Sequence, residues 1–178
     1  MPQVRHAFAS AKDDGSDDSL VRPSNWNADH VGLVLVRKTA NEAVAVSATL
    51  QDDDHLFFAL AANETWIFEL LLWVAGPTAA DIKLAFTVPT GATLIWSGHG
   101  HNLNVVLTDE GTIVNPPAEA SGTSLAFGTQ GTKVPLRLFG MVVNGANAGN
   151  LQLQWAQNGA TGTTTVYANS WLKATRVA

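Results

Sequence analysis

Cysteine is absent from the 178-residue chain. That excludes a disulfide framework, a thiolate metal site and a cysteine nucleophile. Charge is scarce too. Asp, Glu, Lys and Arg together make up 14% of the sequence, against about 25% in an ordinary soluble domain. The balance is acidic, at −5, with no basic run, so nothing attracts a phosphate backbone and a nucleic-acid partner is not expected. Long apolar runs are missing: the longest, residues 66–75, is interrupted by Glu69 and falls short of the about 20 residues that cross a bilayer. The opening residues, MPQVRHAFAS, lack the continuous apolar stretch of a signal peptide. The expectation is a soluble chain made in the cytoplasm, without membrane insertion. No heptad run, collagen-like tract or internal repeat encodes a fibrous shaft.

What is present is a β pattern. Hydrophobic residues make up 46% of the chain, enough for a packed core, and from residue 31 onward they alternate with polar ones. Leu151, Leu153 and Trp155 alternate with Gln152 and Gln154, the signature of a strand with one wet face. Ile82, Leu84, Phe86 and Val88 do the same, as do Val44, Val46, Ala48 and Leu50, and Val134, Leu136 and Leu138. Between them lie turn dipeptides: Gly76-Pro77, Pro89-Thr90-Gly91, Asn144-Gly145 and Asn158-Gly159. Glycine and asparagine tolerate the positive φ that tight connections need. Many short strands between such turns predict an all-β sandwich or jelly roll. The segment ETWIFELLLWVA, residues 64–75, has the length of a three-turn helix. Its aromatic and β-branched content favours a fully buried central strand instead, in which Glu69 needs a partner or a wet edge.

Catalytic signatures are missing. There is no Gly-x-Ser-x-Gly elbow, no His-Glu-x-x-His and no phosphate-binding Gly-Lys-Ser or Gly-Lys-Thr. Six tryptophans could line a sugar cleft, but in an all-β chain they serve more often as core and interface anchors. His99-Gly100-His101 places two imidazoles on one face of a strand, yet lacks a third ligand, and a glycine-flanked loop tip is the plainer reading. Asp52, Asp53, Asp54 and His55 read as a solvated turn, because their spacing is not that of a calcium loop. Asp13-Asp14-Gly15-Ser16-Asp17-Asp18 comes closer to one but lacks the distal glutamate. No cofactor, metal or catalytic residue is assigned.

Residues 1–30 differ from the rest, with clustered aspartates and no sustained period of 2 or 3.6. Residues 6–30 read HAFASAKDDGSDDSLVRPSNWNADH. This stretch resembles an N-terminal segment of surface and fibre-type proteins of tailed phages and prophages: His-x-Phe, Asp-Gly, Leu-Val-Arg-Pro-Ser, then Trp-Asn-Ala-x-His. The elements fall on His6 and Phe8, on Asp14 and Gly15, on residues 20–24, and on Trp26, Asn27, Ala28 and His30. The C-terminal stretch LQLQWAQ followed by Ser170-Trp171-Leu172 is similar to phage β-domains of jelly-roll, tumour-necrosis-factor-like appearance. The resemblance implies a virion role and, for the β-domain, assembly as a homotrimer.

Two regions are therefore expected: an extended N-terminal docking arm, residues 1–30, and a jelly-roll-like β-sandwich, residues 31–178. The arm presents His6, Phe8, Leu20, Val21, Arg22, Pro23, Trp26, Asn27 and His30 to a neighbouring subunit. Proline fixes the backbone there, the arginine fork can grip a carboxylate, and the indole is a large apolar anchor. Packing of the arm on its own domain is the alternative. The expected role is non-enzymatic, on the virion surface: a capsid decoration protein bound to other copies of itself and to major capsid or tail proteins. The alternative is a tail or fibre module that binds a host surface glycan or receptor.

Overall fold

The computed structural model describes residues 11–16, 22–24, 32–105 and 113–178. These described residues form twelve strands. They are β1 Leu33–Arg37, β2 Glu42–Ala45, β3 Gln51–Leu60, β4 Thr65–Ala75, β5 Ile82–Thr87 and β6 Thr93–His101. The second half comprises β7 Ile113–Val114, β8 Leu125–Phe127, β9 Val134–Val143, β10 Gly149–Gln157, β11 Thr163–Val166 and β12 Trp171–Arg176. Among the described residues no helix is long and apolar enough to cross a membrane.

The pairings nest. β6 pairs β7, β5 pairs β8, β4 pairs β9, β3 pairs β10, β2 pairs β11 and β1 pairs β12, all antiparallel. The chain is thus one long two-stranded ribbon, with its tip at β6–β7 and its open end at β1–β12. Rolling that ribbon brings β12 against β4, β10 against β5 and β6 against β9. The result is two antiparallel sheets, one ordered β1-β12-β4-β9-β6-β7 with β2 and β11 alongside, the other β3-β10-β5-β8. This is a jelly-roll sandwich.

Period-2 alternation fills the space between the sheets. Trp66, Phe68, Leu70, Leu72 and Val74 point inward from β4, with Leu136, Leu138 and Val142 beside them on β9. Leu56, Phe58 and Leu60, Leu151, Leu153 and Trp155, and Ile82, Leu84 and Phe86 meet them from the smaller sheet. Aromatic pairs cross the gap: Phe58 with Trp66 at 5.2 Å, Phe68 with Phe86 at 5.2 Å and Phe86 with Trp96 at 4.9 Å. Residues 65–75 form a strand, as their composition predicts. Glu69 has both the partner and the wet surface that it needs.

Three local expectations are corrected. The alternation at residues 44–50 is not one strand, because β2 ends at Ala45 and Val46 turns to φ 49°. Its backbone donors are taken by the stretch from the end of β10 to the start of β11: Val46 N–H donates to Gly162 O at 3.1 Å and Ser47 N–H to Gln157 Oε1 at 3.0 Å. Residues 52–55 are not a solvated turn but part of β3, with Asp53 buried. His99-Gly100-His101 is not a loop tip but the end of β6. There Gly98 and Gly100 face the core, where an added Cβ would lie 3.1 Å from Phe127 Cζ and 2.5 Å from Phe127 Cδ1 respectively. Phe127 needs the glycines, and the histidines occupy the alternate face.

Candidate functional site

Two features stand out. The first is the outer face of the larger sheet. The odd positions of β4, Ile67, Glu69, Leu71 and Trp73, point away from the core. The register places Met141 opposite Ile67, Phe139 opposite Glu69 and Arg137 opposite Leu71. Ile95 lies beyond Met141 and Ser97 beyond Phe139; on the other flank stand Thr175, Lys173 and Trp171. Leu35, Ile67, Ile95, Met141 and Val143 are each 39–55% exposed on this face. A shallow concavity of about 600 Å³ opens over it, lined by Ile67, Ile95, Phe139, Met141 and the edge of Ala118. Its one carboxylate is shared by two cations: Glu69 takes Arg137 Nη2 at 2.8 Å and Lys173 Nζ at 3.7 Å. His99 packs against Phe139 with its ring tilted, centroids 5.0 Å apart.

The second feature is buried. Lys38, between β1 and β2, has its backbone pinned by Ser170 O and by Asn169 N–H, which turns its side chain into the protein, where it is wholly buried. Its Nζ lies 2.7 Å from Asp53 Oδ2 and 2.5 Å from Glu42 Oε2. The other Asp53 oxygen, Oδ1, accepts the backbone N–H groups of His55 at 2.9 Å and Leu56 at 2.8 Å. Those two donors are free of the ladder because β3 bulges here: Gln152 pairs Phe57 and Gln154 pairs Asp52, leaving residues 53–56 opposite Leu153. Glu42 is held by Gln51 Nε2 at 2.9 Å and by Asp54 N–H at 3.2 Å. Ligand atoms of Glu42, Asp53 and His55 all lie within 4.8 Å of one another. The cation among them is the Lys38 ammonium, which bridges both carboxylates.

Two other carboxyls are tuned by their surroundings. Burial pushes Glu64 up, but donation from Arg176, Ala61 N–H and Trp66 Nε1 outweighs it and holds the group below its usual range. Asp81 is pushed up by burial, against the N–H groups of Thr129 and Asn104. Burial pushes the His101 imidazole down.

Of the residues expected to dock the arm, Arg22 and Pro23 are described and half-buried. His6, Phe8, Leu20, Val21, Trp26, Asn27 and His30 lie outside the described residues. The Asp-Gly element and the Arg-Pro-Ser box are joined: Asp14 Oδ1 accepts Ser24 N–H at 2.9 Å, and Oδ2 accepts the Ser24 hydroxyl. Those bonds hold Asp14 below the usual carboxylate range. The sequence reading missed the Lys38 cluster. A lone lysine ending an apolar strand, and three aspartates leading into another, were its only signals.

No family model and no curated protein matches the chain. Among solved structures, the tripod (BppUct-A-L) from the baseplate of bacteriophage Tuc2009 is similar at 11% identity, over 99% of this chain and 83% of that one, with a TM-score of 0.35. A CocE/NonD family hydrolase of Staphylococcus aureus, SACOL2612, is similar at 11% identity over 82% of this chain and 36% of that one, with a TM-score of 0.33. Likenesses of this depth assign neither family nor activity.

Proposed function

We propose that this chain is a non-catalytic structural protein of a tailed-phage particle that works by binding copies of itself and neighbouring virion subunits. The observation that carries the self-binding is the outer face of the larger sheet. A near-continuous apolar strand such as β4 belongs in a sheet covered on both sides, and its own chain covers one. Five strands, β1, β12, β4, β9 and β6, share that face. At about 4.8 Å spacing and about 3.3 Å per residue along the 5 to 11 residues of each strand, it offers roughly 650 Å². That is toward the lower end of the about 600–1,000 Å² that one partner contributes to a stable interface. Glu69 arrives already paired, so covering the face leaves no orphaned carboxylate. The occupant proposed is a second copy, with a trimer as the assembly implied by the sequence resemblance.

The particle assignment rests on the resemblance in residues 6–30. The arm docks on a capsid or tail neighbour, and binding the assembled lattice in preference to free subunits stabilises the lattice by mass action. Head decoration is favoured, since no shaft-forming repeat is encoded. A glycan-binding tip calls for tryptophans exposed together on loops; Trp66, Trp96 and Trp155 are buried, and Trp73 and Trp171 sit in strands.

The test is incorporation. Arg22→Ala combined with Trp26→Ala is expected to leave the β-domain folded and to remove the protein from purified particles. Normal incorporation of that variant would sink the arm-docking proposal. Electron cryo-microscopy of labelled particles then separates head from tail.

A further inference from the structure

The buried cluster holds the parts of a condensation reaction. Lys38 carries a primary amine and Asp53 a carboxyl carbon, with Nζ 2.7 Å from the carboxyl oxygen Oδ2. Both side chains are fully buried, and that of Glu42 is 10% exposed. The outer oxygen of the Asp53 carboxyl, Oδ1, rests on two convergent backbone N–H groups, the arrangement that stabilises an oxyanion. Glu42 Oε2 touches the amine at 2.5 Å and is oriented by Gln51 and Asp54. A Glu42 carboxylate oxygen also lies within 4.8 Å of an Asp53 oxygen, and the amine touches both groups, so a small side-chain shift lets Glu42 take a proton from the nitrogen and deliver it to the departing oxygen. A buried ion pair would want the same two donors for its spare lone pairs, but not a second carboxylate on the one ammonium, which leaves the cluster with an excess negative charge.

We propose that Lys38 and Asp53 become joined by an intramolecular isopeptide bond, with Glu42 as the proton carrier. Glu42 accepts a proton from the Lys38 ammonium and passes it to Asp53 Oδ2. The freed amine attacks Asp53 Cγ, and the negative charge that develops on Oδ1 is held by the N–H groups of His55 and Leu56. A second proton leaves the nitrogen through Glu42 to Oδ2, the Cγ–Oδ2 bond breaks, and Oδ2 departs as water. Of the three ammonium protons, one remains on the amide and two leave in that water. Glu42 ends as it began, and no oxidant, metal or co-reactant is consumed. Burial drives the step toward the amide by excluding water, and fixed contact replaces a bimolecular encounter. The product would tie the end of β1, in the larger sheet, to β3 in the smaller one, a covalent brace in a chain without cysteine.

Intact mass spectrometry of the purified, folded full-length chain under denaturing conditions tests this. The expected mass is below the sequence mass by one water. Tandem spectra of a tryptic digest are expected to show a branched peptide joining Lys38 to Asp53, with no cleavage after Lys38. Glu42→Gln is expected to keep the full mass and restore that cleavage, with circular dichroism confirming its fold. Asp53→Asn supplies an amide electrophile that would release ammonia, so it is expected to converge on the mass of the cross-linked native chain. Native protein that is folded yet keeps its full sequence mass after prolonged incubation overturns the proposal. So does a water loss that maps elsewhere, such as a succinimide at Asp14-Gly15. Closure in Glu42→Gln at the native rate overturns the role given to Glu42. None of these outcomes depends on where the protein sits in a particle.

Discussion

Adding one methyl group at Gly100 tests whether the His-Gly-His segment is a packing device or a metal-binding one. The Cβ of Gly100→Ala would lie 2.5 Å from Cδ1 and 3.0 Å from Cγ of Phe127, a side chain with no exposure. At Gly98 it would meet Leu138 Cδ2 at 2.6 Å and the Arg137 carbonyl at 2.8 Å; a carbonyl in a ladder cannot rotate away. Overpacking of this kind costs about 1–3 kcal/mol, offset by about 0.4–1 kcal/mol from the smaller entropy of an unfolded alanine. A net loss of about 1–2 kcal/mol corresponds, in a chain of this size, to a fall in Tm of about 2–8 °C. Gly98→Ala is expected at the upper end and Gly100→Ala below it. His99→Ala, on the outer face, is expected to cost less than either. Phe127→Leu should soften Gly100→Ala, so that the double variant loses less than the sum of the singles. Thermal melts with and without zinc read all of this. An unchanged Tm in Gly100→Ala, or a zinc-dependent rise in Tm that His99→Ala abolishes, would refute the packing argument.

Four further outcomes follow from other sites. On the outer face, Ile67→Glu with Met141→Glu is expected to convert the native oligomer to monomer in light scattering with the melt intact, whereas Val46→Glu, beyond the end of β2, leaves the mass unchanged; a native monomer at high concentration contradicts the covered-face reading. Val46 is β-branched, 68% exposed and at φ 49°, so Val46→Gly relieves about 1–2 kcal/mol of left-handed strain against about 0.5–1 kcal/mol of added chain entropy. It is expected to match or exceed the native melting temperature, and a clear loss would show that the side chain packs. Glu64 sits below its ordinary 4.5 in the fold, so its stabilisation is present above that value and is lost as pH falls through the depressed one. Glu64→Gln should flatten the acid limb of a stability–pH curve. Asp81 is raised above its ordinary 3.8, so its contribution runs the other way, declining as pH rises through the raised value.

Much of the sandwich was legible because its strands obey one rule. Leu151, Leu153 and Trp155, and Ile82, Leu84 and Phe86, alternate cleanly because one face of each strand is buried and the other is not. The same rule misled at residues 44–50, where alternation continues through Val46 although the backbone bends away. Periodicity records side-chain facing and is blind to which partner holds the N–H groups, here Gln157 and Gly162. Asp52 to Asp54 misled for the opposite reason. Charge normally marks solvent, and only the arrival of Lys38, fifteen positions upstream of Asp53, makes a buried aspartate tolerable. A pairing between two strand ends in different sheets leaves no local trace in a sequence. The two glycines of β6 were visible, but their reason was not, since Phe127 reaches them from a distant strand.

The nested topology explains why such a pairing lies where it does. A ribbon rolled from its tip at β6–β7 has its open end at β1 and β12; β12 is paired on both sides, with β1 and β4, so the edge there is β1. β1 is an edge strand held by β12 alone in its sheet, and it is also the strand nearest the proposed N-terminal arm. Any load carried by such an arm would therefore arrive at an edge seam of the roll. Lys38 follows directly on β1, and its ammonium reaches across to Asp53 in β3, bridging the two sheets at that seam. A salt bridge there resists opening only while both partners stay dry, since water entering the seam replaces each ion's partner with hydration. An amide at the same place does not depend on dryness once formed. The proposed amide would thus tie an edge strand to the opposite sheet, so Glu42→Gln should show its greatest loss in resistance to proteolysis near residues 33–42 and little change in the melting of β4 and β9.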